Sequence, residues 1–350
     1  MKIEERDSLT YEDISIIPSY SDIKTRSHCD TSVEFGNFDL NVPLIASPMD
    51  TVCGSEMCIE LAKLGGIGVL HRFQDIKEQV ALCYDIEAEV RTQYMAAVGV
   101  GQKGKERFDS LVGYTNIQGV CIDVAHGDHS LVEEMIHYIK EEFEDVNVMA
   151  GNIVTKESAE RLIEAGADSL RVGIGNGSMC ETRIRAGVGV PQATALDDIS
   201  NHINNVLDLD TIPYIVADGG CKTVGDIPKA IALGADAVMV GSLFAGTKET
   251  PGIISKMGIW PNEQLYKKYQ GSASIDSKTA RGEETKNVEG NSKITPYKGK
   301  VRRIVSDISD GIKSSMSYVG AHTISEFQNR AVFCRVTQAG QLEAKPHGLY

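Results

Sequence analysis

Short runs of apolar residues recur along the chain, and longer segments with helical periodicity separate them. Eight of these runs are rich in β-branched residues, and they occupy residues 42–47, 66–71, 94–98, 119–123, 146–150, 169–173, 214–217 and 237–241. Because the runs are continuously apolar rather than alternating, they predict parallel strands that are covered on both faces. Eight strand–helix units predict an α/β fold, a (β/α)8 TIM barrel formed by a single domain over residues 1–350.

A short internal repeat agrees with this arrangement. The pattern G-A-D-x-x-x-V-G occurs at residues 166–173 and again at residues 234–241. In each copy we expect the glycine to end a helix and a strand to follow at once.

A doubly wound sheet is the rival architecture for alternating strands and helices. The G-x-G-x-x-G pattern at residues 99–104 follows a predicted strand, and Asp123 comes about twenty residues later, as in dinucleotide-binding folds. However, the pattern lies third in the series of strands rather than first, and a barrel loop at this place also tolerates glycines. The barrel is therefore the favoured interpretation.

The composition changes after the last predicted barrel helix. Residues at about 272–292 are polar and lack apolar periodicity, which predicts a mobile flap. Beyond the flap, apolar residues return at helical spacing at positions 301, 304, 305, 308 and 312. This spacing predicts a C-terminal helix over about 298–316 that docks on the barrel.

Charge and cysteine usage narrow the function classes. Lys and Arg number 35 against 49 Asp and Glu, a net charge of −14 that repels polyanions and predicts small-molecule partners rather than nucleic acid. No apolar stretch is long enough to span a membrane or to start a secretory signal, so we expect a cytoplasmic protein. The 8 cysteines form no paired C-x-x-C modules, and seven of them are expected to be buried small hydrophobes.

The remaining cysteine, Cys180, lies in an unusual place. Barrel active sites form at the C-terminal ends of the strands, and the sixth predicted strand is followed by the glycine-rich loop G-I-G-N-G-S-M-C-E-T-R at residues 173–183. A reactive thiol needs a base, a cation or a helix N-terminus beside it, and Thr182 and Arg183 are candidates. The alternative is that Cys180 only packs.

Two further strand ends predict a phosphate site. Asp218-Gly219-Gly220 follows the seventh strand and Gly241-Ser242 follows the eighth, where barrels build phosphate cups from their last two loops. The Asp218 carboxylate suits the paired hydroxyls of a ribose. Glycines that merely end helices are the alternative, but the capping-box pattern at residues 223–226 favours the phosphate site.

Together, these motifs resemble the IMP dehydrogenase/GMP reductase family. The resemblance spans L-T-Y-E-D at residues 9–13, S-P-M-D-T at 47–51, G-x-G-S-x-C-x-T-R at 175–183, A-D-G-G at 217–220, V-G-S at 240–242 and S-Y-V-G-A at 317–321. It implies a homotetrameric barrel in which a cysteine attacks C2 of a purine nucleotide. It also implies a nicotinamide cofactor that exchanges hydride with that carbon, and a bound potassium ion.

The family's functional residues carry over by motif. The resemblance implies a catalytic set of Cys180, Thr182 and Glu289. It implies substrate binding by Ser178, Asp218, Gly219, Gly220, Gly241, Ser242, Tyr269, Gly271, Ser272 and Ala273. It implies cofactor binding by Arg72, Asp123, Val124, Ala125, Asn152, Ile174, Gly175, Ser317 and Tyr318, and a potassium site at Gly175, Gly177, Cys180 and Arg183.

Several features favour the bacterial short-flap GMP reductase branch. There is no room between residues 76 and 94 for the regulatory CBS pair of IMP dehydrogenases, and the flap's Arg281 is followed by Gly282 instead of the tyrosine of their water-activating Arg-Tyr dyad. This branch implies NADPH-dependent reductive deamination of GMP to IMP through a covalent Cys180 intermediate. An IMP dehydrogenase without CBS domains, making XMP with NAD, and an inactive nucleotide-binding homologue are the alternatives. Asn176 stands where proline is common, and Glu181 where a small or apolar residue is usual.

Overall fold

Eight parallel strands close into a barrel in the computed structural model, which describes residues 3, 5–209, 211–259, 262–280, 282, 285–286 and 288–344. Each strand pairs with the next along the chain, and the eighth pairs with the first. The barrel strands are Leu44–Ala46, Ile67–Leu70, Met95–Val98, Gly119–Asp123, Asn147–Ile153, Ser169–Val172, Tyr214–Asp218 and Ala237–Val240. The predicted (β/α)8 barrel is confirmed, and the doubly wound alternative is wrong.

Helices cover the outside of the barrel. Those after strands one to seven are Ser55–Lys63, Ile76–Val90, Gly101–Tyr114, Ser130–Glu142, Lys156–Glu164, Gln192–Asn205 and Asp226–Ala232. Val301–Val319 completes the ring, and it packs against the first and seventh of these helices. Of the positions that predicted this helix, 301, 305, 308 and 312 are buried, which confirms the docked amphipathic face.

Side chains alternate along each barrel strand between two apolar layers. The inward layer includes Ile45, Val69, Met149 and Met239, while their strand neighbours pack against the helices. A hairpin of strands Val33–Phe35 and Phe38–Leu40 contributes its phenylalanines to the inward layer at the N-terminal end. The ring centroids of Phe35 and Tyr214 lie 5.0 Å apart. This end of the barrel is therefore filled, which leaves the C-terminal end for a ligand.

The two copies of the internal repeat make the same backbone contacts. Asp168 donates its N–H to Val148 O at 3.0 Å, and its carboxylate accepts Val148 N–H at 2.6 Å. Asp236 makes the equivalent pair with Ile215 at 2.8 and 2.7 Å. Each aspartate thus ties the start of its strand to the preceding strand.

The G-x-G-x-x-G pattern has a packing role in the barrel. A Cβ on Gly104 would come within 2.5 Å of Gly99 O, so only glycine lets the third helix approach the end of its own strand this closely. Close packing therefore accounts for the pattern that had suggested a dinucleotide fold.

An insertion follows the eighth strand. It contains a three-stranded antiparallel sheet of Ser255–Met257, Gln264–Gln270 and Ser292–Pro296, with the short helix Ile275–Ala280 between the last two strands. The predicted flap at about 272–292 contains this helix and the segment that leads from it to the last strand of the sheet. Its Arg281 lies outside the described residues, and its mobility stays a prediction.

The remaining elements are short. Ile14–Ile17 pairs with Val332–Arg335, and the short helices are Thr182–Arg185, Ile324–Arg330 and Gln338–Glu343, with 3-10 turns at Tyr11–Asp13 and Arg26–His28. Five cysteines are buried, but Cys221 is half-buried and Cys334 is exposed on the peripheral pair of strands, so the expectation of seven buried cysteines is wrong for these two. Within the described residues, no helix is both long and apolar enough to cross a bilayer.

Asp236 predicts a pH dependence of stability. Burial raises the pKa of its carboxyl from 3.8 to about 6, so the folded state binds more protons than the unfolded state between these values. Its contribution to the free energy of unfolding therefore falls as the pH rises through this window and levels off above about pH 6. We expect the wild type to lose about 1.4 kcal/mol between pH 5 and pH 7.5 through this group.

Asp236→Asn keeps an oxygen for the Ile215 N–H and has no proton to lose. Urea unfolding at both pH values should show that the variant lacks this part of the pH dependence. Identical pH dependences for the two proteins would contradict the assignment.

Candidate active site

A cavity of about 550 Å³ opens at the C-terminal end of the barrel, within the size range of small-molecule sites. The ends of seven barrel strands and the flap line it. The predicted catalytic and substrate residues all line this cavity: Cys180, Thr182, Glu289, Ser178, Asp218, Gly219, Gly220, Gly241, Ser242, Tyr269, Gly271, Ser272 and Ala273. The fold thus collects residues from distant parts of the chain around one space.

A hydrogen-bonded chain starts at the half-buried thiol of Cys180. The thiol donates to Thr182 Oγ1 at 3.1 Å, and the Thr182 hydroxyl donates to Glu289 Oε2 at 2.7 Å. A nucleophile, a hydroxyl and a carboxylate therefore lie in series at the cavity wall. Such a series can carry a proton toward or away from an atom bound beside the sulfur.

Backbone contacts hold the flap residue in this series. Glu181 N–H donates to Glu289 O at 2.7 Å, and Asn291 N–H donates to Met179 O at 2.9 Å. Gly290 lies between these two contacts and forms a bridge with Cys180. The end of the flap is thereby joined to the glycine-rich loop at residues 173–183, here called the catalytic loop. This contact brings Glu289 to Thr182, which lies 107 residues earlier in the sequence.

The opposite end of the flap is bound near the first strand. Asp50 Oδ2 accepts hydrogen bonds from Gln270 Nε2 at 2.9 Å and from Ser277 Oγ at 3.0 Å. Gln270 N–H also donates to Thr51 Oγ1 at 3.1 Å. Both ends of the flap are therefore held over the cavity.

The phosphate candidates lie around the ends of strands seven and eight. Gly219 and Gly220 adopt φ of +91° and +83°, which only glycine takes up readily. Ser178 Oγ and the Tyr269 hydroxyl lie 3.0 Å apart, and burial raises the pKa of Tyr269 to about 12, so this hydroxyl keeps its proton as a donor. Hydroxyls and glycine backbone thus face the same part of the cavity.

The donor atoms present show whether the predicted potassium site could hold a cation. Within the described part of the chain, no three His, Cys, Asp or Glu side chains are grouped to hold a metal, so a cation here would use backbone carbonyls. Gly177 O accepts the Cys180 N–H at 3.0 Å and retains a second lone pair. Arg183 lies outside the cavity lining, with its side chain packed on Gly175. Neutral backbone carbonyls of this kind can replace the hydration shell of a potassium ion, so the donor set is compatible with one.

A buried arginine that the sequence motifs did not indicate also lines the cavity. Arg171 Nη1 pairs with Asp123 Oδ1 at 2.6 Å, and its Nε pairs with Asp218 Oδ2 at 2.9 Å. Burial lowers the pKa of the guanidinium, but Asp218 and Asp123 more than reverse this effect, so the pKa lies above its ordinary range. A charged residue inside the apolar strand S-L-R-V was the available signal.

The predicted cofactor residues divide into two groups. Arg72, Asp123, Val124, Ala125, Asn152, Ile174 and Gly175 line the cavity. Arg72 donates to Asp123 O at 2.9 Å, and Asn152 Nδ2 donates to Asp218 Oδ2 at 2.8 Å. Ser317 and Tyr318 lie outside it on the C-terminal helix, and Tyr318 lines a separate cavity of about 240 Å³.

Removal of the Arg171 charge should destabilise the protein strongly. Arg171→Leu removes the guanidinium from Asp218 and leaves Asp123 with the longer contact to Arg72 at 3.5 Å, which we expect to cost about 3–5 kcal/mol in urea unfolding. Arg161→Ala is the matched control, because its ion pair with Asp128 is largely exposed and should contribute at most about 1 kcal/mol. Equal losses in both variants would contradict the importance of burial.

Comparisons with known proteins show the family to which this chain belongs. Residues 8–347 match the IMP dehydrogenase / GMP reductase domain. An inosine-5'-monophosphate dehydrogenase of Borreliella burgdorferi is 35% identical over 99% of this chain and 98% of its own length. GMP reductases of Bacillus subtilis (37% identical; 91% of this chain and 93% of theirs) and Photobacterium profundum (32%; 97% of each) are similarly related. The chain belongs to the IMP dehydrogenase/GMP reductase family of purine-metabolising oxidoreductases.

Proposed function

We propose that this protein catalyses the NADPH-dependent reductive deamination of GMP to IMP and ammonia. The observation that carries the proposal is the hydrogen-bonded series Cys180–Thr182–Glu289 in the cavity. An amino group leaves carbon far more readily as ammonia than as an amide anion, so a nucleophile that expels it needs a proton source beside it. A thiol, a hydroxyl and a carboxyl group in series meet this need.

The substrate would bind along the cavity from its phosphate to its base. The phosphate would lie among Gly220, Gly241 and Ser242, and the ribose hydroxyls would donate to Asp218. Tyr269 and the backbone at residues 271–273 would then contact the phosphate and the base. This placement brings C2 of the purine to the Cys180 sulfur.

The first step exchanges nitrogen for sulfur at C2. Cys180 Sγ forms a bond to C2, and the thiol proton passes through Thr182 and Glu289 to the 2-amino group. The C–N bond then breaks and ammonia leaves. GMP and the thiol are thereby converted to a covalent C2 thioimidate-type adduct and one ammonia, with no net change in charge.

When bound, NADPH supplies the hydride that replaces sulfur at C2. Arg72, Asp123 and Asn152 would hold its nicotinamide side, because they line the same cavity as Cys180. The C–S bond then breaks, the sulfur takes up a proton, and IMP leaves. The overall reaction is GMP, NADPH and one proton giving IMP, ammonia and NADP⁺.

The other elements of the proposal come from the same resemblance. Potassium would bind to carbonyls of the catalytic loop at Gly175, Gly177, Cys180 and Arg183 and hold its shape, and Ser317 and Tyr318 would contact the distal part of the cofactor. We propose a cytoplasmic homotetramer that acts on free GMP and IMP, without a nucleic-acid partner.

An IMP dehydrogenase is the second candidate. Relatives with that name cover nearly all of this chain at identities similar to those of the GMP reductases. In that reaction water would displace Cys180 from the adduct, and this hydrolysis needs a base. Gly282 follows Arg281 where the IMP dehydrogenase dyad would have its tyrosine, so this position supplies no such base.

Two substrate pairs distinguish the candidates. We expect absorbance near the reduced-nicotinamide band to fall with GMP and NADPH, and no rise with IMP and NAD. A rise with IMP and NAD alone would establish the dehydrogenase instead, and no change in either mixture would indicate an inactive homologue. Cys180→Ala should abolish turnover, and full activity in this variant would rule out the covalent mechanism.

Glu289→Gln tests the proton source. Glutamine can still accept the Thr182 hydrogen bond but has no acidic proton, so we expect kcat for GMP to fall by about 10²- to 10⁴-fold with a smaller change in KM. Glu263→Gln is the control, since Glu263 lies on the surface opposite Lys256. Comparable rates in the two variants would exclude Glu289 as the general acid.

A further inference from the structure

Two side-chain amides lie between the catalytic loop and the phosphate turn, and no role has yet been assigned to them. Asn176 belongs to the glycine-rich loop at residues 173–183 that carries Cys180. Gln192 is the first residue of the helix Gln192–Asn205 and is 2% exposed. Asn176 Nδ2 donates to Gln192 Oε1, and Gln192 Nε2 donates to Val172 O at 2.7 Å. The loop is thus bonded, through Gln192, to the end of the sixth strand.

The same amides contact the phosphate turn. A Cβ on Gly219 would lie 2.9 Å from Asn176 Oδ1, and a Cβ on Gly220 would lie 3.2 Å from Gln192 Cβ. Gly220 N–H also donates to Asn176 O at 3.2 Å. The two amides therefore fill the space between the loop that carries Cys180 and the turn at residues 218–220.

Proline and asparagine hold a loop by different means. Proline restricts its own φ through its ring, and it has no side-chain donor. Asparagine leaves φ freer but can donate and accept hydrogen bonds through its amide. In this chain Asn176 holds the loop through a side-chain hydrogen bond to the buried Gln192.

We propose that Asn176 and Gln192 are positioning residues that set the distance between the phosphate turn and Cys180. The inference rests on the proposed function, because one nucleotide would contact the turn with its phosphate and the sulfur with C2. A small displacement of a nucleophile from its productive position can cost up to about a hundredfold in rate. Loss of the amide pair would therefore act on the chemical step more than on folding.

Variants of the full-length protein test this role. Asn176→Ala and Gln192→Leu should each lower kcat for GMP about 10- to 100-fold, with a smaller change in KM and little change in the urea midpoint. The double variant should be no slower than the slower single variant, because both substitutions break the Asn176–Gln192 bond. Gln192→Leu also removes the donor to Val172 O, so Asn176→Ala is the variant that isolates the amide pair. Asn176→Pro should recover most of the rate. Asn201→Ala is the control, since this amide bonds only Asp197 on the exposed side of the same helix.

Alkylation of Cys180 by iodoacetamide provides a measurement without turnover. We expect the Cys180 rate to rise several-fold in Asn176→Ala and in Gln192→Leu, while the exposed Cys334 reacts unchanged. If wild-type protein fails to reduce GMP, the proposed function fails, and this measurement still tests the positioning role. The positioning role would be overturned if the alkylation rate and the kinetics of both variants equalled those of Asn201→Ala. A multiplicative loss of kcat in the double variant would also overturn it. So would a fall in the urea midpoint that parallels the fall in kcat.

Discussion

Because the eight strands close on themselves, every second side chain must point toward the barrel axis, into a space that opens to solvent at the C-terminal end, where the cavity lies. Along most of the barrel this space is filled by apolar residues and, at one end, by the phenylalanines of the hairpin. Polar inward positions occur toward the C-terminal end, where Asp123, Arg171 and Asp218 form a chain of ion pairs. The charges stay buried because each has a partner. These three charged side chains form part of the cavity lining.

The hydrogen-bonded series Cys180–Thr182–Glu289 depends on contacts between two distant segments of the chain. Cys180 and Thr182 come from one barrel loop, whereas Glu289 comes from the insertion after the last strand. Backbone hydrogen bonds between residues 179–181 and 289–291 join the two segments. A side-chain contact of 2.7 Å is maintained here by main-chain pairing rather than by the carboxylate alone. The chemistry of the thiol is therefore tied to the conformation of the flap.

Other polar contacts hold the residues that surround the cavity. The Arg171 pairs hold the part of the cavity lining that Asp123 and Asp218 form, and the Asn176–Gln192 pair joins the loop at residues 173–183 to the turn at residues 218–220. In each pair a buried side chain bonds a partly buried one. The site is thus held in shape by its surroundings in several directions.

Much of this protein could be predicted from its sequence. Continuous apolar runs specified parallel strands, their number specified a barrel, and the glycine-rich strand ends located the cavity residues, because period and turn chemistry are local properties. The buried role of Arg171 was missed, since its partners lie on strands 48 and 47 residues away, and Cys334 was wrongly expected to be buried because an apolar neighbourhood does not reveal a peripheral strand.

The sequence by itself determined the order of strands and helices and the kinds of residue at each strand end. Only the tertiary structure decided which of these residues meet: the flap carboxylate with the loop hydroxyl, one guanidinium with two carboxylates, and Asn176 with Gln192. The physical reason is that hydrogen bonds and ion pairs depend on distances of about 3 Å, and those distances are set by barrel closure and helix packing over the whole chain.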